Sequence, residues 1–250
     1  MHFFGDTCMS DLSASGVELP DLDLLKKFDI PAPRYTSYPT ADRFTSALTA
    51  EDYEEALRNR ENEKNKRALS VYVHIPFCND VCYYCGCNKI VTRDHDRATG
   101  YLDVIAKEAD LVKQHLTGDT EIEQLHFGGG TPTFLTNEEL ERVMSIIRTR
   151  FPLQKGGEFS IEVDPRCCPK DKVEKLAELG LNRMSLGVQD LNPDVQKAVN
   201  RIQPYELVRD TVNNARAAGF HSVNMDLIYG LPKQTLSLIH ISEPTRLDVI

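Results

Sequence analysis

Residues 72–87 read Tyr72-Val-His-Ile-Pro-Phe-Cys78-Asn-Asp-Val-Cys82-Tyr-Tyr-Cys85-Gly-Cys87, and this stretch decides the fold. Its first part alternates Val73 and Ile75 with Tyr72 and His74, the period-2 pattern of a strand. Its second part crowds four cysteines into ten residues, and Cys78, Cys82 and Cys85 have the spacing C-x3-C-x2-C. Iron–sulfur clusters are held by cysteine thiolates, normally four to a four-iron cluster. Three ligands leave one iron with an open position, which a small molecule bearing an amine and a carboxylate can chelate. A strand that delivers such a loop serves chemistry at the metal, not electron storage alone. The plain alternative is zinc, but zinc sites usually pair two separated cysteine or histidine knuckles. Here no second knuckle exists, because Cys167 and Cys168 are adjacent.

The chain around this loop has 250 residues, enough for one large α/β domain or two small ones. A net charge of −9 argues against a general nucleic-acid binder, although local arginine clusters can still bind an anion. No apolar run approaches the roughly 20 residues of a membrane span, and Met1-His-Phe-Phe-Gly-Asp6 lacks the layout of a signal peptide. Seven cysteines, four of them crowded, suit a reducing cytoplasm better than a disulfide framework.

Upstream, residues 1–67 form an N-terminal arm and helix. A short helix is expected around Leu22–Phe28, then an extended stretch from Pro31 to Pro39 carrying Arg34, Tyr35 and Tyr38. Thr49 and Asp52 form a capping signature for a helix that runs to about Asn62.

From Ala68 to Thr235, strands near 69–75, 122–127, 159–163, 183–189 and 222–228 alternate with helices near 95–117, 137–150, 170–179 and 204–218. This order predicts an α/β fold with a parallel sheet and right-handed crossovers. Buried parallel strands usually read as continuous apolar runs, but these alternate. Ile161, Leu186 and Met225 lie on an apolar face that should meet helices, whereas Glu162, Ser185, Gln189 and Asp226 lie on the opposite face. The economical explanation is a curved sheet whose concave side holds polar ligands. Gly128-Gly129-Gly130-Thr131-Pro132 follows the second strand and allows close backbone approach to a ligand.

The cysteine spacing after a strand resembles the signature of radical S-adenosylmethionine (SAM) enzymes. The wider stretch from Tyr72 through Cys85-Gly-Cys87-Asn-Lys89 resembles, more narrowly, the oxygen-independent coproporphyrinogen III oxidase (dehydrogenase) family. Arg34-Tyr-Thr-Ser-Tyr-Pro39, Gly187-Val-Gln189-Asp190, Asn200-Arg201 and Asp226-Leu-Ile-Tyr-Gly230-Leu-Pro232 match that family too. The resemblance implies a partial (β/α)6 TIM-like barrel, here with about five parallel strands. It implies a [4Fe–4S] cluster on Cys78, Cys82 and Cys85, with Cys87 beside the cluster but not ligating it. It assigns a first SAM to Tyr72, Tyr84, Gly128, Gly129 and Glu162, and a second to Gln189, Arg201 and Asp226. It places the proline-rich arm near the substrate mouth. The implied activity is oxidative decarboxylation of two propionates of coproporphyrinogen III to vinyl groups, giving protoporphyrinogen IX. No side chain serves as acid or base in this chemistry. The expected setting is a cytoplasmic monomer fed by a reducing donor such as flavodoxin or ferredoxin, with no nucleic-acid partner.

Two other readings stay open: a haem-trafficking protein on the same scaffold, and a simple electron carrier. Cys87 and the Tyr-Thr-Ser-Tyr-Pro arm speak against the first, and a polar-lined barrel against the second. Cys8, Cys167 and Cys168 carry no motif and read as ordinary thiols, and His74, His95 and His126 read as residues of packing or polar satisfaction rather than ligands. Residues 236–250, with Pro244 in their middle, lose helical spacing and look like a non-native tail on a truncated chain. The expectation is therefore an incomplete barrel with an open edge beside residues 222–228.

Overall fold

The computed structural model describes residues 21–28, 30, 38–64, 66–116 and 120–235. The chain divides into two compact units, with the border between Asp52 and Tyr53. In the first, α1 (Leu22–Phe28) forms where expected, and a 3-10 turn spans Ala41–Arg43. Residues 31–37 of the proline-rich arm, and the tail from residue 236, lie outside the described residues. Helix α2 (Ala50–Glu61) crosses the border between the units. It starts at a reciprocal cap: the Thr49 amide donates to Asp52 Oδ2 at 2.9 Å, and the Asp52 amide to Thr49 Oγ1 at 3.2 Å.

The second unit is built on a five-stranded parallel sheet of β1 (Leu69–Ile75), β4 (Ile122–Gly129), β5 (Leu153–Val163), β6 (Arg183–Gln189) and β7 (Ser222–Leu227), paired in that order. Between β1 and β4 the short strands β2 (Phe77–Cys78) and β3 (Ile90–Val91) pair with each other. Helices α3 (His95–Gln114), α4 (Asn137–Arg148), α5 (Lys170–Glu178) and α7 (Tyr205–Ala217) connect the main strands. A further helix, α6 (Pro193–Ala198), follows β6. Helix α4 opens on the expected capping box between Thr136 and Glu139. Among the described residues no helix is long and apolar enough to cross a membrane.

Period-2 alternation produces the core. Ile75, Leu125, Phe127, Ile161, Met184 and Leu186 are almost wholly buried, together with Leu102 of α3, Val143 of α4 and Leu176 of α5. Polar residues of the same strands face the other way. This matches the partial barrel expected from the sequence, and the sheet stays open among the described residues.

Two details depart from expectation. Strand β5 starts at Leu153, six residues early, and runs through Gly156 and Gly157 with a register shift opposite Ile122–Gln124. Glycine reads as a strand breaker in sequence, but here it allows the irregular pairing. The apolar face of β7 is not buried as expected: Met225 and Leu227 are exposed, because β7 is an edge strand and no described element beyond it covers that face.

Ile161 is completely buried in the central strand, so Ile161→Ala should cost about 2–5 kcal/mol. A urea unfolding midpoint that does not move would contradict this placement.

Candidate metal and cofactor site

The site lies where β1, β4, β5 and β6 end, at the carboxyl edge of the parallel strands where such sheets bind ligands. The loop after β1 carries the cysteines and has little regular structure of its own. Neighbouring backbone holds it: Ile90 N donates to Pro76 O at 2.7 Å, Thr92 N to Cys78 O at 2.9 Å, and Tyr83 N to Val199 O at 3.0 Å. The Asn200 side chain adds a bond to Val81 O at 2.8 Å. His74 braces the loop from β1, with Nε2 2.9 Å from Asn88 O and Nδ1 2.9 Å from the Tyr72 hydroxyl.

A cavity of about 320 Å³ opens at this edge, within the usual size range of small-molecule sites. Cys78, Cys82, Cys85, Tyr84, Gly129, Glu162, Gln189, Arg201 and Asp226 all line it. Residues 107 positions apart in sequence, such as Cys82 and Gln189, thus share one chamber. Tyr72 and Gly128 stand just outside the lining. A Cβ on Gly128 would lie 2.9 Å from the Tyr72 ring and 3.2 Å from the Glu162 carboxyl carbon, so both belong to the wall behind Glu162.

The wall is a polar ladder across three strands. The Tyr72 ring stacks on His126 with centroids 5.8 Å apart, and His126 Nδ1 is 2.7 Å from Ser160 Oγ. His126 Nε2 is 3.5 Å from Glu162 Oε1, and the Gly129 amide donates to Glu162 Oε2 at 3.3 Å. His126 and the Gly129 amide brace Glu162, while its half-exposed carboxylate keeps room for a ligand. Gly129 has φ +122, which favours glycine, and a Cβ there would sit 2.8 Å from Ile75 O.

On the far side, Asp226 Oδ2 accepts from Ser185 Oγ at 2.9 Å. Gln189 adopts φ 66, a strained left-handed conformation for a side-chain-bearing residue, at a register shift between β6 and β7. Tyr84 is half-buried against Val195, Val199 and Leu231. Burial pushes its phenol pKa well above the usual value.

Beside the thiols lies a charge network of which the sequence reading singled out only Arg201. Arg166 Nη2 donates to Asp164 Oδ2 at 2.7 Å, and Arg201 Nη1 lies 3.2 Å from the same oxygen. Burial alone would raise the Asp164 carboxyl pKa, but Arg166 and Arg201 outweigh it and hold the group below the usual range. The available signal was position: Asp164-Pro-Arg166 directly follows the carboxyl end of β5, where ligand loops sit. Cys167, read as an ordinary thiol, also lines the cavity and accepts from Asn79 Nδ2 at 3.2 Å. Cys168 is fully buried, and burial pushes its thiol up to about 12.

Burial pushes the Cys78 thiol pKa above its usual range; the Thr131 hydroxyl, 3.4 Å away, opposes this, and Cys85 and Cys82 reinforce it. Cysteines bind metal as thiolates, and binding releases their protons. Among the described residues no three His, Cys, Asp or Glu side chains are set to hold a single metal ion. A four-iron cluster binds each thiolate at a different iron, so its ligands need not converge on one point. The donor set and the cavity fit such a cluster. Cys87 is exposed and lines the same cavity.

Fold, motif spacing and cavity define a class, and the chain belongs to the Radical SAM superfamily, whose model matches residues 72–241. The cofactors of that superfamily are a [4Fe–4S] cluster and SAM. Within it, the chain is similar to proteins named oxygen-independent coproporphyrinogen III oxidase. It is 49% identical over 217 residues to the one from Pseudomonas aeruginosa, covering 86% of this chain and 47% of that protein. The one from Escherichia coli is 46% identical over 236 residues, covering 92% of this chain and 50% of the relative. The solved structure of the Escherichia coli coproporphyrinogen III oxidase, described as a radical SAM enzyme, superposes with a TM-score of 0.81 at 43% identity, over 92% of this chain and 50% of that one. The chain thus spans about half the length of the curated relatives it matches.

Gly130 tests the cavity floor. A Cβ there would lie 2.7 Å from Pro76 O and 3.0 Å from Cys78 Sγ, and backbone cannot yield cheaply. Gly130→Ala should displace the cysteine loop and lower iron incorporation at least several-fold while far-UV circular dichroism stays unchanged. Wild-type iron content in that variant would refute the close approach.

Proposed function

We propose that the protein from which this chain comes oxidatively decarboxylates two propionates of coproporphyrinogen III to vinyl groups, yielding protoporphyrinogen IX. The observation that carries this reading is the meeting of the three C-x3-C-x2-C thiols with Glu162, Gln189, Arg201 and Asp226 around one cavity. The identity to the oxidases supports it. Cys78, Cys82 and Cys85 ligate the cluster, and Cys87 does not. Bound here, cluster and SAM supply one-electron bond cleavage and hydrogen abstraction.

The chain's own task is placement. Gly128 and Gly129 let a ligand approach the backbone. Glu162, held by His126, accepts from the ribose hydroxyls of the first SAM, and Tyr72 and Tyr84 wall it in. Gln189, Arg201 and Asp226 serve a second SAM. No acid or base is required of the lining. The protein works as a cytoplasmic monomer reduced by a donor such as flavodoxin or ferredoxin, with residues 1–67 as its arm and helix and residues 68–235 as its barrel strands. The surviving alternative, a haem-trafficking protein on this scaffold, would bind haem without turnover.

Anaerobic reconstitution followed by a SAM-cleavage assay, with and without coproporphyrinogen III, tests the reading. Methionine and 5′-deoxyadenosine are the expected products, and haem binding without cleavage would favour the alternative. Among single variants, Cys78→Ala, Cys82→Ala and Cys85→Ala should each lose the cluster absorption, whereas Cys87→Ala should keep it. The reverse pattern at Cys82 and Cys87 would overturn the ligand assignment.

A further inference from the structure

Cys82 has surroundings unlike those of its two partners in the motif. It is the buried one of the three, whereas Cys78 and Cys85 are partly open. Cys78 meets a neutral hydroxyl, that of Thr131. Two guanidinium groups meet at the Cys82 sulfur instead: Arg201 Nη1 stands 3.5 Å from it and Arg166 Nη2 3.8 Å. Neither is a mobile surface cation. Arg166 grips both oxygens of Asp164 through Nε and Nη2, at 2.7 to 3.2 Å. Arg201 is 8% exposed and is fixed by Asp164 and by Gly187 O, the latter at 2.7 Å. Its Nε is buried without a hydrogen-bond partner.

Two cations therefore share one carboxylate. Arg201 is buried and Arg166 partly so, and excess positive charge in such a place favours a neighbouring anion. The Cys82 sulfur is the atom both guanidinium groups face, at 3.5 and 3.8 Å, and a cysteine that ligates an iron–sulfur cluster does so as thiolate. We propose that Arg166 is a positioning residue which, braced by Asp164 and together with Arg201, fixes the Cys82 thiolate and sets the reduction potential of the iron–sulfur cluster. This rests on the reading that Cys78, Cys82 and Cys85 carry that cluster. Reducing the cluster adds one electron from an external reductant and no proton, so its negative charge grows. Fixed positive charge beside one ligand sulfur favours the reduced form and moves the potential in the positive direction.

The test uses the full chain, reconstituted without oxygen, as unsubstituted protein, Arg166→Gln and Arg166→Lys. Iron content, the cluster's absorption and its midpoint potential in a dithionite-mediated redox titration are measured. Arg166→Gln should keep its iron but shift to a more negative potential, by a tenfold change in the reduced-to-oxidised ratio, about 59 mV for a one-electron couple. Arg166→Lys, which keeps the charge but not the fork, should fall between Arg166→Gln and the unsubstituted chain. Arg166→Gln at the unsubstituted potential overturns the proposal. If Arg166→Gln takes up no cluster, Arg166→Lys decides. Retention by the lysine variant supports the charge-based role, and equal loss in both assigns Arg166 to packing and overturns it. No cluster in the unsubstituted chain sinks the ligand reading and this inference with it, a result distinct from a normal cluster with an unshifted potential.

Discussion

Asp164 is the constraint on which the cavity depends. Its carboxylate is 6% exposed and binds two arginines from different parts of the chain, Arg166 beside it and Arg201 from the loop after α6. Without it, the buried Arg201 and the partly buried Arg166 would lose their shared carboxylate, and removing one partner of a buried ion pair typically costs about 3–5 kcal/mol. With it, the end of β5, the loop after α6 and the cysteine loop become one assembly. The bonds from Asn200 to Val81 and from Tyr83 to Val199 close the same contact from outside.

This assembly compensates for the cysteine loop's lack of structure. Few residues between Cys78 and Ile90 pair in a sheet, yet the loop must hold three thiols at one edge of the cavity. Short bonds at both ends and the arginines beneath supply the order that a helix or strand would otherwise give. Gly129 at the end of β4 and Gly130 just after it complete the cradle, because side chains there would meet the backbone of Ile75 and Pro76. The opposing strands can then present Glu162 and Asp226 across one chamber without crowding.

Much of the second unit was legible in sequence because its signals are local. Alternation gave each strand its buried and open faces, and Thr136 with Glu139 marked the start of α4. The cysteine spacing named the chemistry. Each of these depends on residues a few positions apart. The exceptions also have local causes. Gly156 and Gly157 hid the first half of β5, and β7 carries a core-like pattern that nothing described beyond it covers.

By itself, then, the sequence determined an alternating α/β chain, a polar concave face and a thiol loop spaced for an iron–sulfur cluster. Only the tertiary structure decided what stands behind those thiols. Arg166, Asp164 and Arg201 lie 82 to 119 residues from Cys82, or from its neighbour in the loop, and no periodicity links such distant positions. Their meeting follows from the parallel order of β1, β4, β5 and β6, which brings the carboxyl ends of all four strands to the same edge. A charge pairs with whatever the fold places beside it, and that proximity exists only once the sheet has formed.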